Sequence, residues 1–256
     1  MSNLDHVEVV IAGFPKSGTT WASRLVSEMA QAPLLGNWGF DIKNDSLVEG
    51  MDRPGQHRCY KSHHTYHELR QIEKTVPPRI IYIIRDPRDI IISGQYFFDF
   101  FNEKTKIKGA NKLRRLYSKV FNPLYEQNRM TNAVINGDKH INPWLGNSWL
   151  SHINTYKNQG NILTIRYEDL IHRGISTCQK ILDHIDLALD DQTIQKCIEN
   201  QSFERRLNAA TDQHLHDDLK LLRSGNEGEW ESKLDSKNLN KIMDAMGDAM
   251  KELGYV

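Results

Sequence analysis

Three short stretches of this chain hold the residue types that chemistry needs. The first is Gly13-Phe14-Pro15-Lys16-Ser17-Gly18-Thr19-Thr20-Trp21, which places two glycines, a lysine and three hydroxyls within nine residues. Backbone N–H groups in such a loop, together with the N-terminus of a following helix, form a cradle for an anion. Ser17, Thr19 and Thr20 add hydroxyl donors, and Lys16 adds a point charge. A Walker loop, GxxxxGK(S/T), carries its lysine directly after the second glycine. Here Lys16 precedes Gly18 and Thr19 stands in the lysine's place, which counts against nucleoside-triphosphate chemistry.

The second stretch, Cys59-Tyr60-Lys61-Ser62-His63-His64-Thr65, offers a base beside a cation. A histidine that titrates near neutrality can take a proton from an attacking group. His57, His63, His64 and His67 are close in sequence, and His63 to His67 has the i, i+4 spacing of a metal pair. No HExxH motif and no nearby cysteine pair supplies a further ligand, so no metal is expected. The third stretch, RIIYIIRDPRDIIISGQYFF, sets Arg85 at the end of an apolar run and Ser93 eight residues later. A strand-end arginine can fork onto a phosphate. Ser93 then lies about two helical turns beyond it.

The elements that position these groups are legible in the hydrophobic pattern. Val7 to Phe14 is a short β-branched apolar run that reads as a buried strand entering a loop. From Thr19 to Ala30, Trp21, Leu25, Val26 and Met29 share one helical face. Arg79 to Arg85 is the strongest strand signal, stopped at Asp86-Pro87, an N-cap residue followed by proline at the first helical position. Asn161 to Tyr167 reads as a further strand, and Glu168 to Asp186 as helix. Residues 31–56 carry glycine and proline without period and read as loop with short turns. Residues 102–145 read as a mostly helical insertion over one end of the sheet, and Lys237 to Leu253 as a C-terminal helix. Strands alternating with helices imply an α/β fold: a single-domain, three-layer arrangement with a central parallel sheet flanked by helices and a P-loop-type phosphate-binding loop.

Composition narrows the function classes. Lys and Arg number 33 and are balanced by 33 Asp and Glu, so no global field draws nucleic acid or an anionic membrane, and an anion site must be built locally. Cys59, Cys178 and Cys197 are scattered without CxxC spacing, which favours a reducing compartment. The opening MSNLDHVEVVIAGF lacks the basic and apolar regions of a signal peptide. No apolar run approaches the ~20 residues that span a bilayer. These features together lead us to expect a cytoplasmic protein of 256 residues folded as one domain.

At the motifs themselves the chain resembles the sulfotransferases that use 3′-phosphoadenosine 5′-phosphosulfate (PAPS). GFPKSGTTW looks like that family's 5′-phosphosulfate-binding loop, and Arg85 and Ser93 fill the places of its 3′-phosphate-binding segment. Arg223-Ser224-Gly225-Asn226-Glu227-Gly228-Glu229-Trp230 is similar to the RKGxxGxW stretch that closes over the 3′-phosphate, with Ser224 in place of the usual lysine. Tyr167 matches a tyrosine near the adenosine, and Phe203 an aromatic that sandwiches adenine with Trp21. Lys61 and His63 match the KTH stretch, whose histidine is the general base. Phe97 and Phe98 follow the 3′-phosphate segment, where the family's aromatics wall the acceptor pocket.

The resemblance runs in order from Val7 to Trp230. It implies transfer of a sulfuryl group from PAPS to a hydroxyl or amine of a small molecule, with His63, Lys16, Lys61 and Ser93 as the catalytic group. The oligomeric state stays open. The alternative is a P-loop-type nucleotide kinase, or a non-catalytic nucleotide-binding protein.

If Arg85 and Ser93 read a 3′-phosphate, Arg85→Ala and Ser93→Ala weaken adenosine 3′,5′-bisphosphate while leaving adenosine 5′-phosphosulfate nearly unaffected. Calorimetric titration of each variant with both ligands checks this. Equal losses for the two ligands would mean that these residues hold structure instead.

Overall fold

The computed structural model describes residues 6–41, 47–72, 76–100, 122, 124–212 and 225–256. By their contacts these fall into two compact units. One runs up to Arg85 and resumes over Thr155–Gly225; the other comprises Asp86–Asn154 and Asn226–Val256.

The first unit contains the sheet. Its strands are β1 (Val7–Gly13), β2 (Leu34–Asn37), β3 (His57–Ser62), β4 (Arg79–Ile84) and β5 (Ile162–Arg166). They lie in the order β2-β3-β1-β4-β5, all parallel. Successive residues of β1 point to opposite faces. Val9 and Ile11 are fully buried on one face, Val10 and Ala12 on the other. This two-sided burial explains why the strand reads as a continuous apolar run rather than an alternating one.

On the Val9 face the core takes in Leu25, Val26 and Met29 of α1 (Thr19–Met29) and Ile181 and Leu182 from the later helices. On the opposite side of β4, Tyr82 stacks on Tyr156, with ring centroids 4.1 Å apart. A short helix, α2 (Tyr66–Gln71), follows β3 and starts on a capping box in which Thr65 and Glu68 satisfy each other's backbone N–H groups.

Two local readings of the sequence are corrected here. The stretch 31–56 is not loop throughout, because β2 forms within it at the edge of the sheet. Leu-Leu-Gly-Asn is too short to show a period, and its pairing with β3 is irregular between Leu34 and Asn37. Glu168 to Asp186 is not one helix either. α6 (Tyr167–His172) gives way at Arg173, which leaves helical geometry at φ −130° and ψ 42°. α7 (Gly174–His184) then starts afresh. α8 (Asp191–Asn200) and α9 (Phe203–Asp212) follow in this unit.

The second unit opens with α3 (Pro87–Phe97). Asp86 caps it by accepting the Arg88 N–H, with proline in the first turn, as the sequence leads one to expect. Of the insertion expected over 102–145, residues 102–121 and 123 lie outside the described residues. The remainder forms α4 (Tyr125–Asn136) and a 3-10 turn at Pro143–Leu145. α5 (Trp149–Tyr156) returns the chain to the first unit. The C-terminal part adds α10 (Trp230–Lys233) and α11 (Ser236–Glu252), the latter kinked at Met246.

Gln127 organises this unit from inside. Its side-chain nitrogen donates to Gln95 Oε1 and to the Lys233 carbonyl, while its Oε1 accepts from the Asp235 N–H and from Asn238 Nδ2. Every polar position of a buried amide is thereby used. Gln127→Leu fills the same volume but leaves those partners unsatisfied. We expect it to cost about 2–4 kcal/mol in urea unfolding. A loss below the error of extrapolation would show that the network contributes no stability.

Candidate active site

The stretch between β1 and α1 makes a turn whose backbone is bent where few side chains tolerate it. Lys16 sits at φ 71° and Gly18 at φ 88°, both left-handed. For a lysine that geometry costs on the order of 1 kcal/mol, and strain of this kind concentrates at ligand-holding turns. The N-terminus of α1 has no side-chain cap and no acidic residue in its first turn. Its leading N–H groups and the positive end of its dipole are therefore offered to an anion. Ser17 is fully buried, and its Oγ has no hydrogen-bond partner among the described residues. A buried hydroxyl left in that state just ahead of an uncapped helix N-terminus fits a phosphate or sulfate oxygen.

Tyr167, at the start of α6, packs on this turn. A Cβ built on Gly18 would come within 2.4 Å of the Tyr167 ring, so glycine is required there by contact as well as by φ. Arg85 lies over the same ring, its guanidinium carbon 4.3 Å from the centroid, and its Nη1 donates to the Lys16 carbonyl at 3.2 Å. The edge of Trp21 meets Tyr167 at 5.8 Å, and the Trp21 indole N–H donates to the Gln201 carbonyl. The Tyr167 hydroxyl donates to the Gly225 carbonyl at 3.2 Å. Phe203 closes against Gly225, where an added Cβ would meet its ring at 2.9 Å. Lys16, Arg85, Tyr167, Trp21, Phe203 and Gly225 are thus gathered in one place, as the sequence reading expects. Arg223 and Ser224, expected beside them, lie outside the described residues.

β3 leads into the histidine expected to act as base. It pairs with β1 in the register Ile11↔Lys61 and Ala12↔Ser62, which carries His63 to the level of Gly13. His63 Nδ1 lies 2.7 Å from the Gly13 carbonyl oxygen. A carbonyl only accepts, so Nδ1 carries the hydrogen and Nε2 is left as the proton acceptor. Lys61 is buried one step back on the same strand. His64 turns elsewhere: its Nδ1 meets Ser62 Oγ at 3.0 Å and its ring lies near Phe40. Burial lowers its pKa, partly offset by Glu68.

The other histidines are dispersed. His57 bonds the Ile185 carbonyl at the far end of β3, and His67 stands on α2 beside Tyr66. Among the described residues no group of three or more His, Cys, Asp or Glu is placed to hold a metal ion. Sequence reasoning missed Tyr156, whose hydroxyl donates to the His64 carbonyl at 2.7 Å and so fixes the turn that follows the base. No local signal marks it, because the contact joins positions 92 residues apart.

In the second unit, Ser93 is buried midway along α3. Phe97 and Phe98 close that helix, their rings edge to face at 5.0 Å, with Phe97 39% exposed.

A family model described as the sulfotransferase domain matches residues 6–254, across both units. The chain belongs to the sulfotransferase family. An amine sulfotransferase of Oryctolagus cuniculus is 24% identical over 267 residues, covering 96% of this chain and 81% of its own. A 3-beta-hydroxysteroid sulfotransferase of Cavia porcellus is 25% identical, covering 87% of this chain and 76% of its own. Among solved structures, mouse sulfotransferase SULT7A1 complexed with PAP superposes with a TM-score of 0.65 at 21% identity, covering 96% of this chain and 85% of that one. The likeness in structure establishes that this sulfotransferase shares their fold, a central parallel sheet flanked by helices.

Gly18→Ala tests the turn of this sulfotransferase directly. The methyl group meets the Tyr167 ring and the left-handed φ together, so the turn must reshape. We expect adenosine 3′,5′-bisphosphate affinity to fall by about a hundredfold or more, the equivalent of ~3 kcal/mol of strain and lost contacts. The circular dichroism spectrum is expected to stay unchanged. Wild-type affinity in the variant would separate the turn from the nucleotide.

Proposed function

We propose that this sulfotransferase transfers the sulfuryl group of PAPS to a hydroxyl or amine of a small-molecule acceptor, with His63 as general base. One observation carries this reading: the 2.7 Å contact of His63 Nδ1 with the Gly13 carbonyl. That contact ties the base to the residue that begins the anion-binding turn and leaves Nε2 as the acceptor.

Bound PAPS supplies the sulfuryl group, and adenosine 3′,5′-bisphosphate leaves. The protein's own part is positioning and charge. The N–H groups opening α1, with Ser17, Thr19 and Thr20, hold the 5′-phosphosulfate. Lys16 and Lys61 stabilise negative charge at the sulfuryl group and at the oxygen that departs. Arg85, Ser93 and the Gly225 segment with Arg223 and Ser224 read the 3′-phosphate, while Trp21, Tyr167 and Phe203 wall the adenosine. His63 Nε2 accepts the acceptor's proton as its oxygen or nitrogen attacks. Phe97 and Phe98 line the acceptor's side.

The placement of Lys16 ahead of Gly18 sets this turn apart from a kinase loop. A thermal-shift comparison separates the two: stabilisation by adenosine 3′,5′-bisphosphate without magnesium supports the sulfotransferase reading, whereas a response to magnesium-ATP alone overturns it. We also read the protein as cytoplasmic. Among the described residues no helix is long and apolar enough to cross a membrane, and Cys59, Cys178 and Cys197 are buried free thiols.

His63→Ala is expected to slow single-turnover sulfuryl transfer by about 10²–10⁴-fold, or ~3–5 kcal/mol of barrier, with nucleotide binding retained. His64→Ala costs far less, because its ring faces Ser62 and Phe40. A dead His64→Ala beside an active His63→Ala would move the base by one residue. A His63→Ala loss confined to hydroxyl acceptors, with amines still sulfated, would identify amines as acceptors that need no base.

A further inference from the structure

Asp89 is the second aspartate of RDPRD, between Arg85 and Ser93, and no phosphate is expected to meet a carboxylate. It is nonetheless 2% exposed, one of the most deeply buried acids in the described chain. Its partners are backbone N–H groups of a segment some 140 residues away in sequence. Oδ2 accepts the Gly228 N–H at 2.7 Å, and Oδ1 accepts the Trp230 N–H at 3.2 Å. The neighbouring Arg88 lies over the Trp230 ring, its guanidinium carbon 3.7 Å from the centroid. Arg88 is itself held by Asp86 and by the Tyr255 carbonyl. A buried carboxylate that accepts two N–H groups makes charge-assisted bonds and holds its partners firmly.

The segment so held is the continuation of Arg223-Ser224-Gly225. At its other end the Gly225 carbonyl accepts the Tyr167 hydroxyl. Within the second unit, Gly228 and Trp230 are thus both fastened to Asp89.

We infer that Asp89 is a positioning residue for 3′-phosphate recognition: it touches no nucleotide, but fastens the Gly228–Trp230 backbone to the helix that carries Ser93. This rests on the reading of Arg85, Ser93 and the Gly225 segment as the 3′-phosphate site. Gly228 takes a left-handed φ of 71°, which favours glycine at that place in the motif. Gly228 and Trp230 present alternate N–H groups to one carboxylate, and the tryptophan ring also receives Arg88.

The test compares two ligands in three proteins. Wild type, Asp89→Ala and Asp89→Asn are titrated with adenosine 3′,5′-bisphosphate and with adenosine 5′-monophosphate, and each is unfolded thermally without ligand. Asp89→Ala is expected to weaken the bisphosphate by about tenfold or more while the monophosphate changes less than about twofold. Asp89→Asn keeps a neutral acceptor for one N–H and is expected to fall between. Should Asp89→Ala fail to fold, the same selective loss in Asp89→Asn carries the inference. Equal weakening of both ligands, or no weakening in a folded variant, overturns it. A wild-type protein that does not distinguish the two ligands instead overturns the 3′-phosphate reading on which the inference rests.

Discussion

The ring of Tyr167 occupies the space that any side chain at position 18 would need, and the arrangement at the ends of the strands is organised around that contact. The turn after β1 takes a left-handed course at Lys16 and Gly18, and at Gly18 the ring leaves no room for a side chain. Because the ring is flat and electron-rich, Arg85 can lie on it and keep its guanidinium desolvated and oriented. Because the ring carries a hydroxyl, it reaches the Gly225 carbonyl. A single aromatic side chain thus registers three parts of the chain that are far apart in sequence. Replacing it by phenylalanine would keep the first two relations and lose the third.

The parallel sheet sets where these parts can meet. β1, β3, β4 and β5 run in one direction, so their C-terminal ends stand along one edge. The turn leaves from β1, His63 from β3, Arg85 from β4 and Tyr167 from β5. Crevices at the C-terminal ends of such strands are where α/β proteins hold ligands. In this chain each of the four strands leads into one group of different chemistry: a turn bent at Lys16 and Gly18, the imidazole of His63, the guanidinium of Arg85 and the ring of Tyr167.

The parts legible in the sequence are those whose signal is local. β1 and β4 announce themselves because burial on both faces demands unbroken apolar runs, and Asp86-Pro87 marks the start of α3 because capping and proline geometry act within one turn. Lys16, Arg85 and His63 could be singled out because each stands just beyond an apolar run that reads as a strand, in a motif that resembles the family's. What stayed hidden depends on contacts across long separations. β2 has four residues and a register that slips, and the break at Arg173 carries no proline or glycine at the residue that leaves the helix. Tyr156 and Asp89 act on backbone groups remote in sequence, so their types alone say nothing of their roles. The tautomer of His63 is likewise a property of the Gly13 carbonyl opposite it, which no pattern within 57–67 encodes.

The left-handed backbone at Lys16 bears on how this protein can be engineered. Glycine adopts φ 71° without steric strain, so backbone geometry alone favours glycine over lysine at position 16. A selection that scores only folding, such as survival at raised temperature or yield of soluble protein, will be drawn toward Lys16→Gly and will discard the ammonium group with it. The most stable version of this turn and the version suited to bind a phosphosulfate are different sequences. Natural proteins retain such mismatches where function depends on them, and stabilised libraries of this chain need position 16 held fixed.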